Sequence, residues 1–376
     1  MNLPRPPLFD RLAARVPRIP ATSGLIAANL LVFAAMLAQG AGLWHTDNAV
    51  QLAWGANFGP ATKDGEWWRL GSALFLHFGL AHLALNMLAL WDGGRLVERM
   101  FGHARFLAIF FTAGLSGNLL SLIAQGDRAV SGGASGAVFG VYGALLAYLW
   151  LERRQLQAGE FRPLFLGAAL FTAINIALGF QVTGIDNAAH IGGLTAGILS
   201  GAALASPLVP GESRRRRWRP LPAMILALAV LALTANIPAP RYRWSEELQA
   251  RGGIGQFLGA DARLSARWGA IIGQARRQGM SFDELAGRLE AEVTSPYEDS
   301  FEQLARLHLS PAAPSAPALA ALREYAEIRR DAARALVEAL RANDPERIRE
   351  ALELAREAPR SMRGRTAPAP AGNGRE

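Results

Sequence analysis

The chain contains no cysteine. That single absence removes disulfides, thiol nucleophiles and thiolate metal sites, and it leaves the redox compartment unmarked. The N-terminus is not expected to act as a cleavable signal, because Pro4, Pro6 and Pro7 interrupt it before any apolar core begins. No internal repeat is evident in the tail from Trp244 onward. No carboxylate joins the polar groups inside the apolar runs described below, so neither a metal ion nor a cofactor is expected.

Apolar sequence is what the chain has in quantity: 51% of its 376 residues are hydrophobic. They are unevenly spread. Long apolar runs fill the first part, whereas everything after Pro240 is polar, helical in pattern and rich in Arg and Glu. This split predicts a membrane domain followed by a soluble one. The net charge is +8, but the arginines gather at the ends of the apolar runs. That placement marks membrane topology and argues against a nucleic-acid partner.

Residues 1–22 carry Arg5, Arg11, Arg15 and Arg18 and read as a basic cytoplasmic segment. Seven apolar runs follow, at about 23–42, 73–92, 106–124, 132–151, 163–180, 188–206 and 221–237, each near the roughly 20 residues a span needs. Arg95, Arg99 and Arg105, then Glu152 to Arg154 with Arg162, then Arg214 to Arg217 with Arg219, all fall on one side of this count. The topology is therefore seven spans, N-terminus in and C-terminus out. Trp44, Trp54, Trp67 and Trp68 lie along the first loop, and tryptophan favours the headgroup boundary, so that loop is expected in the outer leaflet. The expected organisation is a six-span domain over 23–206, a basic loop with a seventh helix over 207–240, a soluble helical domain over 241–358 and a disordered tail over 359–376. In the soluble part, Ser281 with Glu284 and Ser295-Pro296 with Glu298 match capping boxes. Residues 311–317 form a Pro/Ala linker, and Asp344-Pro345 begins another helix. No chemistry-bearing motif appears there, and the partner of this region is unknown.

The fourth run opens with Gly132-Gly133-Ala134-Ser135-Gly136-Ala137-Val138-Phe139-Gly140. Glycines at 132, 136 and 140 follow helical spacing and let another helix approach closely. In the sixth run, His190 shares a helical face with Gly193, Gly197 and Gly201. If these two seams meet, an imidazole comes within reach of a hydroxyl, which is how a serine nucleophile is activated. The second run carries His82 and Asn86 four apart on one face. Spans two, four and six run in the same direction, so Ser135, His190, His82 and Asn86 all fall near one depth. Polar groups at such positions are costly and usually functional. The Ser135 N–H, the Asn86 amide and the His82 ring are candidate donors to a tetrahedral oxyanion. The plain alternative is a packing seam with polar side chains serving as interhelical glue. Asp186, one turn ahead of His190, lies in a loop and is not expected to complete a triad. His77 reads as structural or interfacial.

Three segments together carry a family resemblance: Gly133-Ala134-Ser135-Gly136, Ala189-His190 with Gly193 and Gly197, and His77 through Met87. With Trp68-Arg69, and with Glu98, Gly102, Arg105 and Phe106, they resemble the rhomboid intramembrane serine proteases over about residues 23–206. The resemblance implies an all-α, polytopic transmembrane helix bundle, here with an added seventh span and a C-terminal soluble helical region. It implies Ser135 as nucleophile and His190 as base without a third member, with His82, Asn86 and the Ser135 N–H as the oxyanion site. Phe139 stands where the family often has an aromatic beneath the histidine. The implied substrates are transmembrane segments of other proteins, locally unwound and cut near the outer leaflet. Span five and residues 180–187 are candidates for a lateral gate. Localisation in a bacterial inner membrane is the compositional expectation. Two rivals remain: a non-catalytic relative that binds membrane proteins, and a channel or transporter lined by the same polar groups. A transporter would show paired halves or broken helices, and neither is evident in the sequence.

Overall fold

The computed structural model describes residues 6–207 and 218–365, with side chains as far as Ala358. Arg5, Arg214 to Arg217 and residues 366–376 lie outside the described residues. The chain divides into two compact units, Met1–Pro240 and Arg241–Glu376.

The first unit begins with α1 (Leu8–Arg15) and α2 (Pro20–Ala38). Three short helices follow: α3 (Asn48–Ala53), α4 (Gly59–Lys63) and α5 (Arg69–Ser72), the last running into a 3-10 turn at Ala73–Phe75. The long helices are α6 (Leu80–Phe101), α7 (His103–Gln125), α8 (Ser135–Glu152), α9 (Ala158–Gly179), α10 (Asn187–Leu204) and α11 (Pro220–Ala235). Strands β1 (Asn57–Phe58) and β2 (Val130–Ser131) pair antiparallel, with Asn57 opposite Ser131.

All seven apolar runs become helix, but not seven equal spans. Four helices (α2, α7, α8 and α9) are long and apolar enough to cross a membrane. A fifth is gained if α5 with its 3-10 turn and α6 count as one, a pair bent by 92°. That break was not expected from a continuous apolar run. It arises at residues 76–79, where Phe78 O accepts from Thr46 N and Leu80 N donates to Leu43 O, so the first loop takes the backbone bonds a straight helix would use. At Gly79 a Cβ would stand 2.2 Å from Trp44 O, so no larger residue fits this crossing. Helix α10 has the length, 18 residues, but Asn187, His190 and its glycines dilute its apolar character, and α11 has only 16 residues.

Small residues hold the centre together. A Cβ on Gly193 would lie 1.9 Å from Gly136 O, and one on Gly197 would lie 2.0 Å from Gly140 O; Gly201 faces Ala144 in the same way. Contacts that advance together along both helices mean that α8 and α10 run parallel. Helix α7 runs opposite to both, with Gly117 against Ala189 and Ala113 against Gly140. Gly132 is not part of this seam. It precedes the helix and packs on Leu76 instead.

The N-terminal segment is not a loose basic leader. Leu8 and Leu12 of α1 are buried in the main apolar cluster, Leu8 N donates to Glu160 Oε1 at 2.6 Å, and Arg11 pairs with Glu160 at 3.0 Å. Glu98, fully buried on α6, accepts from Ala21 N at 3.0 Å, Thr22 N at 2.7 Å and Thr22 Oγ1 at 2.6 Å. A carboxylate thus stands at the positive end of α2, where it is most favourable.

The second unit contains α12 (Trp244–Gln278), α13 (Phe282–Leu289), α14 (Ser295–Ala305), α15 (Ala316–Arg341) and α16 (Pro345–Arg365). Its apolar side chains form one cluster around Phe257, Tyr297 and Leu322 and another around Ile271, Leu289 and Leu336. Ser281 caps α13 by accepting from Glu284 N, and Asp344 accepts from the N–H groups of Glu346 and Arg347 at the start of α16. The capping box expected at Ser295 is absent. A π-helical turn over Glu290–Thr294 joins α13 to α14 without a break, so Ser295 has helical neighbours on both sides and no free N–H to cap. Helix α16 also continues past Pro359, where disorder was expected, as far as Arg365.

Candidate active site

Ser135 is the first residue of α8, so the helix begins three residues after the start of the apolar run at 132. The reason lies just upstream. Gly133 has φ 145°, a left-handed conformation that favours glycine and cannot belong to a helix, and its N–H donates to Ala73 O at 2.8 Å. The helix can start only after it. At the first helical position, the Ser135 N–H has no acceptor within its own helix.

His190 lies one turn into α10, and its Nε2 stands 2.9 Å from Ser135 Oγ. Its ring stacks on Phe139, with centroids 4.2 Å apart and planes at 11°. Among the described residues, Nδ1 has no hydrogen-bond partner. When Nε2 accepts the serine hydroxyl, the ring proton must sit on Nδ1.

His82, in the first turn of α6, closes a third side. Phe78 N donates to its Nδ1 at 3.4 Å, which leaves Nε2–H as the free donor. A Cβ built on Gly133 would come 3.1 Å from that Nε2 and 3.7 Å from Ser135 Oγ, so the donor and the hydroxyl border one space. Asn86 is buried, and one hydrogen of its amide goes to the His82 carbonyl at 2.9 Å. The other hydrogen remains for a second acceptor. His77 is fully buried with its ring 5.0 Å from that of His82, and its carbonyl accepts from Gln51 Nε2. The expected supporting glycines hold their places: Gly136 lies on Ala189, while Gly193 and Gly197 form the seam to α8.

Asp186 does not reach the imidazole as a triad member would. Its Oδ1 accepts from Ala189 N at 3.0 Å, capping α10, and its Oδ2 accepts from Ser131 Oγ at 2.6 Å and from Ser121 Oγ. Sequence reasoning missed Ser121 and Ser131. An aspartate three residues ahead of the N–H it caps is an N-cap signature, and that signal was available. Arg69, quoted above with Trp68 for the family resemblance, has a structural part. Its guanidinium is buried and binds the carbonyls of Leu52 and Ala56 at 2.7 and 3.2 Å, which fixes the first loop beside the site. Among the described residues, no group of three or more His, Asp or Glu side chains could hold a metal ion.

In chemical terms, a hydroxyl is paired with an imidazole and borders one space with the His82 ring donor. This arrangement suits attack on a carbonyl and acceptance of the resulting oxyanion.

A protein-family profile described as Rhomboid domain matches residues 64–207. The rhomboid protease GluP of Bacillus subtilis is 39% identical over 224 residues, which make up 60% of this chain and 42% of that protein. RHOMBOID-like protein 5 of Arabidopsis thaliana is 39% identical over 144 residues, 38% of this chain and 45% of that one. The Bacillus subtilis protein YdcA is 34% identical over 145 residues, 39% of this chain and 70% of YdcA. The matched segment thus spans less than half the length of the first two relatives and over two thirds of the third.

Proposed function

The chain belongs to the rhomboid family of intramembrane proteases, and from that premise we propose that it is a serine endopeptidase cutting transmembrane segments of other membrane proteins. The observation that carries this reading is the 2.9 Å approach of His190 Nε2 to Ser135 Oγ. As Ser135 Oγ bonds to the scissile carbonyl carbon, His190 Nε2 takes the hydroxyl proton. Charge moves to the carbonyl oxygen, where the Ser135 N–H, His82 Nε2–H and the spare Asn86 hydrogen are the donors. Collapse of the intermediate breaks the C–N bond, and His190 returns the proton to the leaving amine. Water, deprotonated by the same imidazole, then frees the acyl group. Phe139 lies flat against the ring and favours its cationic form during each transfer.

Because an intact helix shields its carbonyls, the substrate has to unwind locally before attack. Helix α9 is the element best suited to admit it. It is the least buried of the four long apolar helices and leans on the site through Phe171, stacked on Tyr142 at 4.1 Å and 6.1 Å from Phe139. The arginine distribution supports a cytoplasmic N-terminus and a C-terminal unit on the opposite side, and the alanine- and arginine-rich composition supports residence in a bacterial inner membrane.

The test is cleavage of a purified single-span substrate with small residues near its outer membrane boundary. Ser135→Ala and His190→Ala are each expected to abolish cleavage, and product formation by either variant overturns the dyad.

A further inference from the structure

We propose that Asp186 is a positioning residue that latches the approach to the nucleophile onto the start of the base's helix, and so sets the separation of Ser135 and His190. The proposal rests on the dyad reading above. Its basis is a pair of equal offsets: Asp186 lies four residues before His190, and Ser131 lies four residues before Ser135. These two upstream residues are bonded to each other, Ser131 Oγ donating to Asp186 Oδ2 at 2.6 Å. The same carboxylate caps α10 through Ala189 N at 3.0 Å and takes the hydroxyl of Ser121, a buried residue of α7. One side chain therefore joins α7, α10 and the strand that leads into α8.

The seam alone does not fix the site. Its contacts begin at Gly136 and Ala189 and run down the helices from there. Above that level, the backbone leading into α8 is held by the pairing of β2 with β1 and by the Gly133 bond to Ala73. Neither β1 nor Ala73 belongs to α10. Asp186 supplies the missing connection. Both of its oxygens are occupied by other donors while His190 Nδ1 has no partner among the described residues, which separates this role from that of a third triad member.

The experiment uses the full chain in liposomes, with kcat and KM for the single-span substrate, the rate of Ser135 labelling by a fluorophosphonate, and thermal midpoints. Asp186→Ala is expected to lower kcat and labelling about 10- to 100-fold with little change in KM, the range for a small misplacement of reacting groups. Asp186→Asn is expected to stay within about threefold of wild type, because its carbonyl oxygen still caps Ala189 while its amide donates to the two serine hydroxyls, which turn to accept. Ser131→Ala, which leaves the cap in place, is expected to lower labelling about threefold or more at an unchanged thermal midpoint. Adding it to Asp186→Ala should cost nothing further, since both remove one connection.

Full labelling in Asp186→Ala overturns the proposal, and so does full labelling in Ser131→Ala. An Asp186→Asn variant as inactive as Asp186→Ala also overturns it, because that result makes the negative charge itself the functional element. Ser135→Ala and His190→Ala are run alongside. Cleavage persisting in either overturns the dyad, whereas inert dyad variants beside a fully active Asp186→Ala overturn only the latch.

Discussion

At Gly133 a methyl group would stand 2.9 Å from His82 Cε1 and 3.1 Å from its Nε2, on a backbone with φ 145°. The first distance forces the imidazole to move, and the second places the intruding methyl where an oxyanion needs room. Gly133→Ala is therefore expected to cut fluorophosphonate labelling about 100-fold, the scale seen when one oxyanion donor is lost. The strained backbone is expected to cost about 1–3 kcal/mol of stability as well, read as a lowered thermal midpoint. Labelling at the wild-type rate would place the oxyanion elsewhere. Much of the site was legible at this scale. Ser135, His190 and His82 stand out because a polar side chain in an apolar run demands an explanation, and Phe139 falls one turn after the serine. The connection through Asp186 and Ser131 was harder to read, because both lie in connecting segments whose path a helical periodicity does not describe. Ser121 lies inside the third apolar run, but its partner lies in a loop, so the spacing of the spans gave no sign of the bond.

Among elements, the pair α8–α10 is governed by the absence of side chains. A Cβ on Gly197 would come 2.0 Å from Gly140 O and 2.4 Å from Gly140 Cα, so even alanine has to push two backbones apart. Gly197→Ala is expected to destabilise the first unit by about 1–3 kcal/mol, the usual cost of overpacking, and to depress activity by widening the gap between nucleophile and base. Gly167→Ala on α9, where nothing lies within 4 Å, should leave the melting midpoint unchanged or raise it slightly. Thermal unfolding of the two variants in the same detergent checks both expectations. The helical spacing of small residues predicted this seam correctly for Gly136 and Gly140 but extended it one glycine too far. Gly132 keeps the four-residue interval, yet the helix begins only at Ser135 because Gly133 departs from helical backbone. Periodicity reports spacing and says nothing about where hydrogen bonding starts. For the same reason, the break ahead of α6 was hidden inside an uninterrupted apolar run. The bonds that cause it come from residues 43–46, more than thirty positions away.

For the whole molecule, the change in composition after Pro240 coincides with the boundary between the two compact units. Every residue proposed for chemistry lies in the first. A chain ending at Pro240 is therefore expected to keep fluorophosphonate labelling of Ser135 at close to the full-length rate. Loss of labelling in a folded truncation would make the second unit part of the catalyst. Orientation has an independent check: a reporter fused after Glu376 should be active only outside the cytoplasm. Span number was the least legible property at this scale, because α10 gives up apolar residues to the site and α11 is short, so neither resembles an average membrane helix. The docking of α1 was hidden for a different cause. Leu8 and Leu12 amount to one turn of apolar face inside a basic segment, too little to register until Glu160 is seen beside them.

The seam between α8 and α10 has a further consequence for motion. Glycine has no side-chain torsion, so Gly136, Gly140, Gly193 and Gly197 offer no rotamer through which that contact can relax. The spacing of α8 and α10 along the seam is thus a property of two backbones, with no soft coordinate within it. Whatever displacement admits a substrate has to be found outside the seam. On the proposed reading that displacement falls to helix α9, the least buried of the four long apolar helices, which meets Tyr142 and Phe139 through the ring of Phe171.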